Sequence, residues 1–305
     1  MLLATHIFNN RDRIAIMIIM MLLIPACTDL SGTEDADTRV IDYQWPREYY
    51  QAVWGSSPDD IFVVGSNATI VHYNGEEWRV MENPATLRLN GVWGSSADNV
   101  FAVGEGGQII HYDGSQWTES PAHITSRLQD IWGTAPNHIF AVGAAGTILF
   151  FNGDFWTRVD TPISDEIYSI WGTSAENIYA VSSGGSVLKY NGNEWKVITS
   201  GWPTFFKIWG TSDQNIFAVG SGGTVVHYDG IEWQKMLSST DKGLYGVWGN
   251  SPDYITAVGI EGTIVQYNGK DWRKQVSITP ENYTDIWGMR ETVILVGGFG
   301  TIIKQ

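Results

Sequence analysis

The stretch Leu89–Trp117, LNGVWGSSADNVFAVGEGGQIIHYDGSQW, decides the fold. It holds three runs in strand alternation, Leu89–Gly94, Val100–Gly104 and Gln108–Tyr112, and Trp117 opens a fourth. None of these runs has helical spacing. Asp113-Gly114 joins the third run to the fourth and predicts a type I′ hairpin turn, with φ > 0 at both central residues. The small residues of Glu105–Gly107 suit a tight return between the second run and the third. The unit therefore reads as four short antiparallel strands.

The same unit recurs along the chain. Trp-Gly stands at Trp54, Trp93, Trp132, Trp171, Trp209, Trp248 and Trp287, a period of about 39 residues. A second marker, Asn-Gly or Asp-Gly followed by Trp, ends at Trp78, Trp117, Trp156, Trp195, Trp233 and Trp272. Periods near 40 residues belong to propellers or to helical solenoids, and strand alternation selects the propeller blade. The last unit stops at Gln305, which aligns with Tyr267, so it lacks its fourth strand. Arg39–Tyr43 precedes Trp54 by the spacing at which the other units place that strand. The expectation is an all-β, seven-bladed β-propeller of four-stranded antiparallel blades over residues 39–305, in which the N-terminal strand closes the last blade and removes a free edge. A Trp repeated in every blade is packing first, because both faces of a blade are covered by its neighbours.

Composition agrees. Of 305 residues, 43 % are hydrophobic and 17 % charged, which excludes a disordered chain, and 34 Gly without a triplet period exclude a collagen-like one. The net charge of −15 argues against a nucleic-acid partner, whose phosphates need Lys and Arg.

Residues 1–26 read as a signal peptide: Arg11 and Arg13 precede an apolar run from Ile14 to Ile24, too short to span a bilayer. Cys27 is the sole cysteine, so no intramolecular disulfide forms. Leu23-Ile24-Pro25-Ala26-Cys27 resembles the lipobox of bacterial lipoproteins, with Pro25 a departure from it; the resemblance implies lipidation of Cys27. Thr28 after the cysteine implies an outer-membrane anchor, periplasmic or surface-exposed. Residues 28–38 are acidic and aperiodic, a flexible tether.

The repeat WG(S/T)xxxx(I/V)(F/Y)AVGxxGTIxxY(N/D)GxxW resembles bacterial exported and envelope propellers, broadly akin to Kelch, sialidase-type and tectonin propellers, across residues 39–305. That resemblance implies the fold; activity varies among such propellers. The sialidase-type Asp-box spacing is not met, since Asn74-Gly75 and its equivalents are adjacent, and the Kelch and WD signatures are incomplete, so no functional residue carries over.

Candidate sites follow from what varies. His72, His111 and His227 share one third-strand position in three units, but third strands lie away from the axis, so the three diverge and no metal or other cofactor is expected. The glycine-rich strings Val219–Thr224 and Gly297–Thr301 lie between strands, with no helix to complete a phosphate cradle, and read as turns. The Ser or Thr after Trp-Gly reads as turn chemistry, made acidic in the first unit by Asp59 and Asp60. Variation concentrates three and two residues before Trp-Gly, at the start of the innermost strand, where a propeller presents one mouth of its channel. Tyr168, Phe206 and Tyr245, with Trp202 from the one shortened connector and with Asp130 and Lys207, are the candidate rim for stacking a sugar or an extended polymer. Trp45, Tyr49 and Tyr50 form a second aromatic cluster in the equivalent loop of the first unit.

Two function classes remain. The first is a noncatalytic cell-envelope scaffold lipoprotein that binds an envelope protein or glycan and touches the membrane only through its lipid. The alternative is a carbohydrate-active enzyme, a glycoside hydrolase or polysaccharide lyase, with its acid and base drawn from Asp130, Asp285, Asp165, Glu166 and Glu281.

Overall fold

The computed structural model describes residues 39–40 and 48–305, and for 39–40 the backbone alone. The signal and tether segments, Cys27, Trp45 and Ile41–Tyr43 lie outside the described residues. Seven four-stranded antiparallel sheets follow one another. In the second blade the strands are Leu89–Ser96, Asn99–Gly104, Ile109–Tyr112 and Trp117–Glu119, from the channel outward. The seventh blade takes its outermost strand from the other end of the chain: Arg39 pairs with Lys304 and Val40 with Ile303.

Each blade is thin, so its apolar residues serve two interfaces. Seven core clusters result, each shared by adjacent blades; one joins Phe62, Val64 and Ile70 of blade 1 to Leu89, Val92 and Val100 of blade 2. Another joins Tyr50, Val53 and Ile61 of blade 1 to Ile294, Val296 and Ile302 of blade 7, which completes the ring.

The recurring dipeptide sits at these interfaces. At six of the seven seams the Trp indole of one blade lies on the Trp-Gly glycine of the next, whereas Gly249 meets Tyr254 and Ile255 of its own blade first: a Cβ on Gly94 would lie 2.6 Å from Trp54, and one on Gly55 would lie 2.7 Å from Trp287. Real side chains do not approach so closely, so the indole selects glycine as its neighbour.

The hairpins depart from expectation. Between the third and fourth strands, Gly75 and Gly114 have φ of 91° and 89°, but no Asn or Asp before such a glycine is left-handed. The connection is four residues long, not two, because Tyr73 pairs with Trp78. The Asn74 carboxamide oxygen accepts the amides of Glu76 and Glu77 at 3.1 and 3.0 Å, and Asp113 does the same for Ser115 and Gln116. The polar residue thus serves as an acceptor, and only the glycine needs φ > 0. The tight return between the second and third strands is met as a single 3₁₀ turn, with Gly106 at φ 67°.

The antiparallel order gives the disc two faces. Connectors between blades and second-to-third-strand turns share the connector face, where Gly107 approaches Ile124. First-to-second and third-to-fourth-strand turns share the turn face, where Gly114 approaches Asp98.

Deletion of residues 39–43 leaves Ile302–Lys304 as an open edge and removes the strand pairing of Arg39 with Lys304 and Val40 with Ile303. The melting temperature of the full chain is expected to fall sharply in a single transition; an unchanged melt in differential scanning calorimetry refutes closure as a source of stability.

Candidate functional site

Every innermost strand carries the same irregularity. In blade 3, Leu128 pairs with Gly143 and Asp130 with Val142, so Gln129 is an extra residue without a partner. The register slips at the equivalent point in all seven blades. The extra residues are Gln51, Asn90, Gln129, Tyr168, Phe206, Tyr245 and Thr284. A bulge bends its strand and re-aims the inserted side chain. Here the seven converge on one mouth of the channel, lining a cavity of about 440 Å³ on the connector face with Tyr49, Arg88 and Asn282 at its rim.

The mouth is two-sided. Blades 1–3 contribute the amides of Gln51, Asn90 and Gln129; blades 4–6 contribute three consecutive aromatic rings. Tyr168 meets Phe206 edge-on at 5.5 Å between centroids, and Phe206 meets Tyr245 at 4.7 Å. Beside the amide half, Arg127 donates through Nε and a terminal nitrogen to Glu166 Oε1 at 2.9 and 2.6 Å, and Gln129 donates to the same oxygen at 2.6 Å. Arg88 donates to Glu105 at 2.6 Å. The rim charges are therefore paired, and the aromatic half is the unpaired apolar surface.

Lys207 forms the floor. It reaches from blade 5 to blades 3 and 7, with its ammonium 3.7 Å from Asp130 Oδ2 and 3.3 Å from Asp285 Oδ1. Burial pulls the ammonium's pKa down, but the attraction of the two carboxylates outweighs it and holds Lys207 above the ordinary lysine value. Burial likewise pushes Asp285 above the ordinary carboxylate value, against the pull of Lys207 and of the Val53 amide. Each carboxylate also ties one blade to the next: Asp130 Oδ2 accepts the Ser169 hydroxyl at 2.8 Å and the Ile170 amide at 3.2 Å, and Asp285 Oδ2 accepts the Val53 amide at 3.1 Å. The triad divides the channel, since Ala52, Asp130 and Lys207 line both the mouth above and a second cavity below.

Of the six residues singled out from sequence, Asp130, Tyr168, Phe206, Lys207 and Tyr245 meet in this mouth. Trp202 does not line it. The shortened connector runs so close over the neighbouring turn that a Cβ on Gly185 would lie 1.8 Å from the Trp202 carbonyl oxygen. The indole packs on the core between blades 4 and 5 and donates to Thr199 Oγ1 at 3.1 Å. Tyr50 is fully buried, while Tyr49 reaches the mouth and touches Phe299 at 5.3 Å. Arg88 and Asn282 were not singled out; they stand five residues before Trp93 and Trp287, as Tyr49 does before Trp54, outside the two positions at which variation was read.

The three histidines stay within their own blades. His111 Nε2 lies 2.6 Å from Asn99 Oδ1 and its ring stacks on Phe101; His227 pairs with Asn215 and stacks on Phe217 in the same way. His72 lies 2.7 Å from Asp60 Oδ1. Asp60 is thereby committed to His72 and Ser56. Among the described residues no group of three or more His, Cys, Asp or Glu is placed to hold a metal ion.

No family model matches the chain, and no curated protein matches it in sequence. Solved structures match its fold. A structure described as YCF48 bound to D1 peptide superposes with a TM-score of 0.74 at 16% identity, over 92% of this chain and 99% of that one. YCF48 from Cyanidioschyzon merolae gives 0.70 at 18% identity, over 88% and 98%. The WD40 β-propeller domain of Doa1 gives 0.72 at 11% identity, over 86% and 93%. At these identities the likeness is one of fold.

Two outcomes follow from this geometry. Lys207→Met leaves two carboxylates facing each other without a countercharge and is expected to cost about 3 kcal/mol in urea unfolding, at the low end for a broken buried pair because the lysine is partly exposed. Adding Asp285→Asn recovers most of that loss, since the carboxamide oxygen still accepts the Val53 amide; a loss below about 0.5 kcal/mol in Lys207→Met contradicts the triad's role. Separately, burial lowers the pKa of His111 and His227. Below pH ~6.5 the unfolded chain therefore binds protons that the folded chain refuses, and stability falls as pH drops through the folded values. The His111→Gln, His227→Gln double variant, which installs the residue that blade 6 uses at Gln266, is expected to flatten the slope between pH 7 and 5; an unchanged slope refutes it.

Proposed function

We propose that this chain is a noncatalytic scaffold of the cell envelope, carried on a lipidated Cys27 and displaying its connector face to a protein partner. The observation that carries this reading is the set of seven bulges, which gathers the one variable side chain of every blade at a single mouth. A repeated backbone device that collects non-repeated side chains is how a rigid scaffold acquires a specific surface. The aromatic half, Tyr168, Phe206 and Tyr245, offers apolar faces to a side chain, and the amide half offers donors and acceptors to a peptide backbone. The neighbour described as YCF48 bound to D1 peptide is a propeller of similar fold with a peptide ligand, which supports a protein over a glycan.

The carbohydrate-active alternative requires an acid and a base facing one sugar bond. Its best carboxylates, Asp130 and Asp285, are taken up by Lys207 and by backbone amides of the next blade. That arrangement favours a structural use of both.

Arrays of peptides and of glycans, probed with the purified full chain, test the reading. Peptide binding that weakens about tenfold or more in Phe206→Ala, Tyr245→Ala is expected, as for truncation of aromatic anchors. Binding of glycans alone transfers the mouth to sugars, and release of shortened glycans returns attention to the carboxylates. Anchoring is read separately: a bioorthogonal palmitate analogue is expected to label the wild-type chain in bacterial cells and to leave Cys27→Ser unlabelled.

A further inference from the structure

The turn face differs in character from the connector face. Its first-to-second and third-to-fourth-strand connections hold fourteen Asp or Glu against two basic residues, Lys270 and Arg290. Glu77 and Glu194 pair with Arg79 and Lys196 of the adjoining strands, and the remaining turn acids outnumber the turn bases twelve to two. Hydrogen bonds keep two of these groups ionised: the Ser115 hydroxyl and neighbouring amides hold Asp113 down at about 2, and the Glu232 and Ile231 amides lower Asp229. Among the acids stand exposed apolar residues, Phe155, Ile231 and Tyr254, at turn positions where other blades carry polar ones.

At the centre of this face the channel opens into the second cavity, of about 230 Å³, walled by the seven Trp-Gly indoles. At roughly 30 Å³ per water that is space for about seven waters, enough for one long side chain. Its closed end is the triad, two carboxylates against one ammonium. Asp285, which lines this cavity and is 4% exposed, holds an Oδ1 that accepts no hydrogen bond; Lys207 stands 3.3 Å away outside hydrogen-bond geometry. An indole-walled space closed by two carboxylates and one ammonium favours a long cationic side chain, because the walls pack its apolar stem and the carboxylates attract its charged head.

We infer that the turn face is a second docking surface, for a basic polypeptide segment that lies across the acidic turns and inserts one Arg or Lys side chain into the indole-walled cavity. Its partner is distinct from the occupant of the connector-face mouth, which has paired charges and the opposite orientation. Exposed Phe155, Ile231 and Tyr254 give that segment apolar contacts between its charges. Lys207 already neutralises part of the closed end, so one cation is the capacity of the cavity.

The probe is fluorescein-labelled hexa-arginine, titrated by anisotropy into the full chain, with a hexa-citrulline peptide of the same shape and no charge beside it. The neutralising variant Asp98→Asn, Asp113→Asn, Asp229→Asn, Asp253→Asn uses at every position the residue that at least one other blade carries at the equivalent place. It is expected to raise Kd about tenfold, as four weak surface pairs together allow. A charge-matched variant of the connector face, Glu82→Gln, Asp160→Asn, Asp165→Asn, Asp241→Asn, is expected to leave Kd within about twofold. Asp285→Asn, which changes no exposed charge, is expected to weaken hexa-arginine several-fold, read at a temperature at which calorimetry shows the variant still folded. Equal loss in both four-site variants overturns the assignment to the turn face, and so does equal binding of hexa-citrulline. An unchanged Kd in Asp285→Asn overturns insertion into the cavity. Since Phe206 and Tyr245 lie on the other face, their double variant binds hexa-arginine normally if this inference holds, so its failure and that of the peptide-binding mouth are read independently.

Discussion

The contact between one blade's indole and the next blade's glycine is the constraint on which the ring depends. A blade has no core of its own: Phe62, Val64 and Ile70 find their partners in blade 2, and Tyr50 and Val53 find theirs in blade 7. Neighbouring blades must therefore approach at a fixed distance and angle, and the indole sets both. Gly94 under Trp54, Gly133 under Trp93 and Gly288 under Trp248 repeat one fit, with a Cβ excluded at 2.6 to 2.9 Å in each. Trp287 on Gly55 returns the fit to its start. A ring accumulates any angular error, so a geometry repeated at six of its seven seams limits the error that closure must absorb.

Closure is also held by polar ties that skip the repeat. Asp285 accepts the Val53 amide, Thr284 donates to the Tyr50 carbonyl at 2.8 Å, and Lys304 donates to the Pro58 carbonyl at 3.1 Å. All three join blade 7 to blade 1, where the chain is interrupted. The same Asp285 meets Lys207, so the interaction that seals the ring also floors the channel. One residue thus links the stability of the disc to the separation of its two cavities, one lined by amides and aromatics, the other by seven indoles.

The binding surface arises from a backbone irregularity rather than from added loops. Without the bulges, residues such as Gln129 and Tyr168 would take the regular alternation and face a neighbouring blade. With an extra residue between Leu128 and Asp130, both Leu128 and Asp130 stay paired, and Gln129 is released toward the axis. The framework can therefore hold its packing constant while seven positions vary, which is the division of labour that the two halves of the mouth display.

Much of this was legible in the chain itself. Seven Trp-Gly repeats, strand alternation and the missing fourth strand at Gln305 determined the blade, the number of blades and the closure by Arg39 and Val40, because each of these is a local periodic property that every unit states again. The glycine turns were legible for the same reason, although the length of the hairpin was not: the Asn and Asp before each glycine act through side-chain acceptors that a dipeptide signature does not reveal. Variation before Trp-Gly located the mouth and brought five of its residues to notice; Trp202 shared their aromatic character but sits on a connector pressed against Gly185. Only the tertiary structure decided that Asp130, Lys207 and Asp285, from three separate blades, meet at one point on the axis. Their encounter depends on how far each blade turns the chain about the ring, a rotation set by packing between blades and written in no single repeat.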